Sequence, residues 1–250
     1  MTNLSDHAVP GSSRRRWLRL FWPIGIALLG FAVLPLDLPI AHWFFDGHCP
    51  AEILRWLGFA ETYAHGFGVA CILLTVFALD AGRRNLLPRA AATAFGGGLL
   101  ANVLKFLVMR TRPRAFDLAH AHTVGETFGQ WLPLGKIDSD YLSFPSAHMA
   151  TAFGLTAALI WLYPRGRWIF PLFAVLAGCQ RISSWAHFFS DVVWGAAAGC
   201  VAVILFLPGG LLACWFDKLE AFLARVGRPD VPAAPSADGS RAEANRCDAA

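Results

Sequence analysis

Apolar stretches about as long as a bilayer is thick recur through this chain and leave few folds open to it. They occupy residues 17–36, 63–79, 90–109, 147–163, 168–186 and 192–216, and charged turns or loops separate most of them. In hydrocarbon every backbone N–H and C=O must be bonded inside its own segment, so such stretches predict transmembrane helices. The expected architecture is an all-α, polytopic membrane bundle of six spans. Charged residues are 15% of the 250 and hydrophobic residues 56%, where a soluble domain carries about 25% charged. Ten tryptophans and twenty phenylalanines fit interfacial aromatic belts, and Trp43, Trp56, Trp131 and Trp185 are assigned to the outer one.

Six spans put both termini on one side, and the positive-inside rule says which. The side of the termini holds Arg14, Arg15, Arg16, Arg83, Arg84, Arg89, Arg165, Arg167, Lys218, Arg225 and Arg228. The other side holds Arg55 and Lys136, plus a group that the rule does not explain: Arg110, Arg112, Arg114 and Arg181. The termini are therefore expected in the cytoplasm, with residues 1–16 a short leading segment, 17–216 the membrane domain and 217–250 a largely disordered tail. The first run is long enough to be a retained span and not a cleaved signal. Residues 37–62 read as a loop with a short helix near 53–59, and residues 110–144 as a long polar loop. Gly96-Gly97-Gly98 inside the third span suggests close helix packing.

The net charge of +4 is modest and its basic residues are dispersed, which argues against a nucleic-acid partner. The six cysteines lack metal-type or paired spacing. His120 and His122 in the outer loop have no third ligand beside them in sequence and read as solvated. His65 and Asp80 read as interfacial, and Arg110 and Arg114 as headgroup-steering or solvated.

The residues that carry chemistry fall at the outer ends of spans three to six. Lys105 lies near the end of the third span, where a lysine is costly without a purpose, and Arg112-Pro113 follows seven residues later. Pro145-Ser146-Ala147-His148 opens the fourth span, with Ser146 a candidate cap and free N–H groups suited to an anion. Arg181, His187 and Asp191 lie between the fifth and sixth, His187 and Asp191 four residues apart and so one helical turn from each other. Three cations converging at one interface repel one another unless an anion sits among them, and arginine forks match phosphate. Two histidines allow one to attack phosphorus while the other protonates the leaving oxygen.

Lys105-x6-Arg112-Pro113, Pro145-Ser146-Ala147-His148 and Arg181-x5-His187-x3-Asp191 together resemble the three-part signature of the type 2 phosphatidic acid phosphatases, the PAP2 superfamily, over about residues 17–216. The resemblance implies a lipid phosphatase with His187 as nucleophile, Asp191 orienting it and His148 as general acid. It implies that Lys105, Arg112, Ser146, Ala147 and Arg181 bind the phosphoryl oxygens, and that no metal or other cofactor takes part. The implied partners are membrane lipids and a lipid phosphate: undecaprenyl pyrophosphate, phosphatidylglycerophosphate, phosphatidate or lipid A phosphate. In a bacterium this places the protein in the inner membrane with its site facing the periplasm. A phosphotransferase using the same intermediate and a non-catalytic lipid-phosphate binding or transport protein are the alternatives; oligomeric state is not legible. Ala147 stands where the family has glycine, and Gln180 where it has serine.

Overall fold

A computed structural model describes residues 12–132 and 138–226, with side chains from residue 21 onward. Arg14–Arg16 as side chains, Lys136, Arg228 and the rest of the tail after 226 lie outside the described residues. The chain is mostly helical: α1 Ser12–Ala32, α2 Asp37–Phe45, α3 Ala51–Ala64, α4 Gly66–Leu79, α5 Leu87–Lys105, α6 Ala147–Leu162, α7 Ile169–Ser183, α8 Phe189–Phe206 and α9 Ala213–Val226. A two-stranded antiparallel ribbon, β1 Val108–Arg110 with β2 Phe128–Trp131, pairs Val108 with Trp131 and Arg110 with Phe128 around an irregularity.

Of the six expected spans, α8 is long and apolar enough by itself to cross a bilayer. Two others become so only as bent pairs, Phe21–Ala32 with Leu34–Phe45 at 45° and Ala51–Ala64 with Gly66–Leu79 at 65°. The helices α6 and α7 are apolar but short; at 1.5 Å per residue, sixteen residues rise about 24 Å, less than the roughly 30 Å hydrocarbon core. The breaks have local causes. Pro35 opens a 3-10 turn between α1 and α2, and His65 is extended (φ −81°, ψ 138°), ending α3 and capping α4 through Nδ1. Residues 37–62 are thus two helices where a loop with one short helix was expected. Residues 110–144 contain the ribbon and several 3-10 turns, a corrected reading of the long polar loop.

The centre is the mutual packing of α5, α6 and α8, with α1 along α8 and α3 on α7. Small residues make this approach possible. A Cβ on Gly97 would lie 2.7 Å from the Ala150 carbonyl oxygen and 3.1 Å from Gly199 Cα, so the Gly96–Gly98 stretch does serve close packing. Gly97→Ala is expected to cost about 1–3 kcal/mol through forced separation of α5 from α6 and α8. It is read as a lower thermal unfolding midpoint in detergent; an unchanged midpoint would contradict this packing. A larger apolar core of Tyr63, Val69, Leu73, Leu155, Leu159 and their neighbours joins α3–α7. Phe21, Trp22, Leu28, Leu74, Leu99 and Leu172 point outward and are more than half exposed, the inside-out distribution that suits lipid.

At the end of the bundle opposite the three motifs, Arg89 corrects its sequence reading as a loop cation. It is fully buried, bonding Glu220 at 2.6 Å, Asp217 at 2.5 Å and the Ala213 carbonyl at 3.3 Å. These bonds dock α9 against α5. Residues 217–226, expected to begin a disordered tail, are therefore most of a helix with two anchoring carboxylates.

Candidate active site

The third motif is built by a tight turn. Helix α7 ends at Ser183, and Trp185 then takes φ +61°, a left-handed conformation that costs a non-glycine residue of order 1 kcal/mol or more. Trp185 was assigned to an aromatic belt; it is instead half-buried, edge-on to Phe45 at 5.4 Å, where it holds this turn. The reversal delivers His187 just ahead of α8, so His187 and Asp191 do not share a helix face: His187 precedes the helix and Asp191 lies in its first turn. Asp191 Oδ2 accepts the Phe188 N–H at 2.9 Å, closing the start of α8.

His187 is 1% exposed. Its Nδ1 lies 2.7 Å from the Ser143 carbonyl oxygen and 3.9 Å from Asp191 Oδ2. A carbonyl only accepts, so Nδ1 carries the proton and Nε2 is left with its lone pair. The direct orienting contact expected from Asp191 is therefore made by a backbone carbonyl. Asp191 acts one step away, accepting from Ser143 Oγ at 2.6 Å. Ser143, two residues before the Pro145 motif, has no place in the sequence motifs, yet it serves the site twice, by its carbonyl to His187 and its hydroxyl to Asp191.

Arg110 departs from its expected place. Expected to be solvated or headgroup-steering, it is fully buried, donating to Asp191 Oδ1 and Asp37 Oδ2 at 2.6 Å each, to Ser190 Oγ at 2.8 Å and to Thr127 Oγ1 at 3.0 Å. Its guanidinium sits 4.4 Å from the ring centroids of both Phe128 and Phe188. Asp37 also accepts the Ser190 N–H at 2.8 Å. Strand β1, absent from the sequence reading, is what turns Arg110 inward. Arg114, by contrast, is exposed and paired with Asp140 at 2.5 Å.

The other motif residues arrive from separate elements. Helix α5 stops at Lys105, so Lys105 and Arg112 do not share a helix; Arg112 is held in the following loop, its Nε donating to the Ser139 carbonyl at 2.8 Å. Ser146 is the N-cap of α6, accepting from the Met149 N–H at 3.3 Å, while its own N–H donates to the Asp191 carbonyl at 3.0 Å. Ala147 begins the helix with no left-handed backbone, so the alanine in place of glycine is unstrained. A Cβ on Gly195 would collide with the Ser146 carbonyl, which is how closely α8 is set against this helix start.

Glu61, read as an ordinary loop acid, lies at the end of α3 beside this cluster. Its Oε1 is 3.0 Å from Arg181 and 4.0 Å from His148 Nε2. Gln180 joins the two, its Nε2 donating to Glu61 at 3.1 Å and its Oε1 accepting from Arg181 Nε at 2.6 Å. The His65 ring centroid is 6.0 Å from that of His148. No signal in one sequence links position 61 to 181, since the contact exists only once α3 packs on α7.

Burial, then the nearby charges of Lys105, Arg112 and Arg181, hold the His187 pKa well below 6.5. The sign follows: near pH 7 the imidazole is neutral in both folded and unfolded chain, and below about 6.5 only the unfolded chain takes the proton. Folding stability is therefore expected to fall on acidification from pH 7 towards 5, and His187→Gln to flatten that slope. A slope unchanged by the variant would assign the acid sensitivity to other groups.

Comparison with known proteins identifies the family. The PAP2 superfamily model matches residues 86–210, half of the chain. The chain belongs to the PAP2 superfamily. Among curated relatives, a lipid A 1-phosphatase of Rhizobium johnstonii is 36% identical over 124 residues, 48% of each chain. One of Rhizobium etli is 35% identical over 136 residues, 54% of this chain and 49% of that one. The match thus spans about half the length of these relatives. A crystal structure of LpxE from Aquifex aeolicus superposes with a TM-score of 0.47 at 20% identity, over 68% of this chain and 93% of that one. The superfamily match takes in Lys105, Arg112, Ser146, His148, Arg181, His187 and Asp191.

Proposed function

We propose that this chain is a six-span membrane lipid phosphatase working through a phosphohistidine on His187. The observation that carries the reading is the neutral His187, its Nδ1–H on the Ser143 carbonyl and its Nε2 lone pair free, in reach of the field of three cations. In the first step Nε2 attacks phosphorus, the bond from phosphorus to the lipid oxygen breaks, and His148 gives that oxygen a proton. In the second, water attacks the phosphohistidine, His148 takes the water's proton, and inorganic phosphate leaves with His187 restored. Lys105, Arg112 and Arg181, with the N–H groups at the start of α6, take up the charge of the phosphoryl oxygens as it develops. Asp191 fixes Ser143 and the start of α8 and so keeps Nε2 aimed.

Two relatives called lipid A 1-phosphatase support lipid A 1-phosphate as the first substrate to try. The membrane reading rests on α8, the two bent helix pairs and the outward apolar side chains. The charge asymmetry favours cytoplasmic termini and a site on the outer face, periplasmic in a bacterium. The protein, purified in detergent, is to be offered a panel of lipid phosphates with and without a chelator. Phosphate release that survives the chelator supports this reading with its metal-free mechanism; no release from any lipid contradicts it.

A further inference from the structure

Helix α9 turns its apolar side away from the bundle. The sixth span, expected to run to residue 216, ends with α8 at Phe206. A turn through Gly209 (φ +77°) follows, and the N–H groups of Leu211 and Leu212 bond back to the Ile204 and Leu205 carbonyls at 3.1 and 2.8 Å. The start of α9 is thus held at the end of the span, and the helix packs there beside Arg89 and the 3-10 turn Ala81–Leu86. The sides of α9 differ in character. Ala213, Phe216 and Glu220 face the bundle: Ala213 is buried, Phe216 stands edge-on to Phe206 at 5.8 Å, and Glu220 pairs with Arg89. Trp215, Leu219, Phe222 and Val226 recur at four, three and four residues, one helix face about a third of a turn round from the first. All four are exposed, Trp215 to 73% and Val226 to 66%. Lys218 and Arg225, seven residues apart, border this stripe on the margin farther from the bundle, and the exposed Cys214 and Ala221 complete the circle.

Bundle, apolar stripe, cations and small exposed residues, in that order round the axis, describe a helix lying in a bilayer surface beside its own protein. Charge decides what covers the stripe. Both acids of α9, Asp217 and Glu220, are committed to Arg89, which leaves Lys218 and Arg225 for external anions. The neighbouring turns at this end add Arg83, Arg84, Arg165 and Arg167. A tryptophan with flanking cations suits the level of lipid headgroups, where the ring sits at the boundary and long basic side chains reach the phosphates. We propose that α9 is an in-plane membrane helix that seats Trp215, Leu219, Phe222 and Val226 in the leaflet opposite the active site, with Lys218 and Arg225 on anionic phospholipid headgroups. This takes up the membrane placement given above and is independent of the reaction. It also gives that leaflet a hold on the fold, because α9 is what brings two carboxylates to the buried Arg89.

The test uses the full chain in nanodiscs. Lipids brominated near the headgroup end of the acyl chain, or near its methyl end, quench tryptophan by contact, and the difference between wild type and Trp215→Phe isolates the emission of Trp215. That emission is expected to be quenched more by the bromine nearer the headgroups. An unquenched Trp215 lies in water or against protein, a second copy of this chain included, and overturns the proposal; stronger quenching by the deeper bromine overturns it as well. Amide exchange over residues 213–226 tests the lipid charge. It is expected to be slower in phosphatidylglycerol than in phosphatidylcholine discs by about tenfold or more, the order that two cations near an anionic surface give. Lys218→Gln with Arg225→Gln is expected to abolish the difference. A difference that is absent, or that the double variant retains, removes the headgroup role of these cations. Neither readout involves catalysis, so failure of the phosphatase reading leaves both results standing.

Discussion

His187→Ala is expected to reduce phosphate release by roughly four to six orders of magnitude, the loss seen when a nucleophile is removed from a catalytic unit. The effect is expected in kcat with KM little changed, because the cations proposed to bind the phosphoryl group stay in place. His187→Gln guards against a folding artefact: it retains a donor for the Ser143 carbonyl while lacking a nucleophilic nitrogen. Both variants should give equally low rates while the second unfolds near the wild-type temperature. Substantial release from either would mean that another group attacks phosphorus.

Arg110→Ala has the largest expected effect on stability. Arg110, Asp37 and Asp191 have no side-chain exposure, and each carboxylate sits 2.6 Å from the guanidinium. Removing the cation leaves two buried carboxylates without their shared partner, which costs about 3–5 kcal/mol in such settings. Activity should fall with it, since Asp191 would lose one of the bonds that fix it against Ser143. Asp37→Asn removes a single ion pair and leaves one amide oxygen to accept from Arg110 and the Ser190 hydroxyl while losing the Ser190 N–H bond, so its cost should be smaller than that of Arg110→Ala. The pair Asp37→Asn and Arg110→Ala closes a double-mutant cycle on unfolding in detergent, and a coupling energy near zero would contradict the network.

The three motifs were legible because spacing and residue type survive without coordinates: Lys105, Arg112, Ser146, His148, Arg181, His187 and Asp191 are each tied to a short local pattern. What surrounds them was not legible, for one physical reason. Arg110 becomes a buried partner of Asp191 only because β1 pairs with β2 across seventeen intervening residues, and Glu61 reaches Arg181 only across the α3–α7 packing. Asp37 gave a faint signal, an acid directly after an apolar run, but a run of loop acids at 46, 52 and 61 hid it. Ser143 gave none, because its carbonyl has no side-chain identity and its hydroxyl meets Asp191 only across forty-eight residues of chain. Helix ends shifted where a single residue decides them: the extended His65 starts the second span at residue 66 and sets it off from a helix where a loop was expected, and Lys105 ends a helix that apolar residues 106–109 seemed to continue. The reading of Asp191 as the direct partner of His187 followed the i, i+4 spacing, which holds within a helix and fails when the helix starts two residues late.

The most direct test of the central claim is to trap the intermediate. The protein is mixed with a lipid labelled with ³²P at the reacting phosphate, quenched with alkali, and digested to locate the label. The expected result is an acid-labile, alkali-stable phosphate on His187, accumulating in His148→Ala because proton transfer to and from the reacting oxygens is slowed, and absent from His187→Gln. Label on any other residue, or turnover with no labelled protein in either wild type or His148→Ala, would contradict the account.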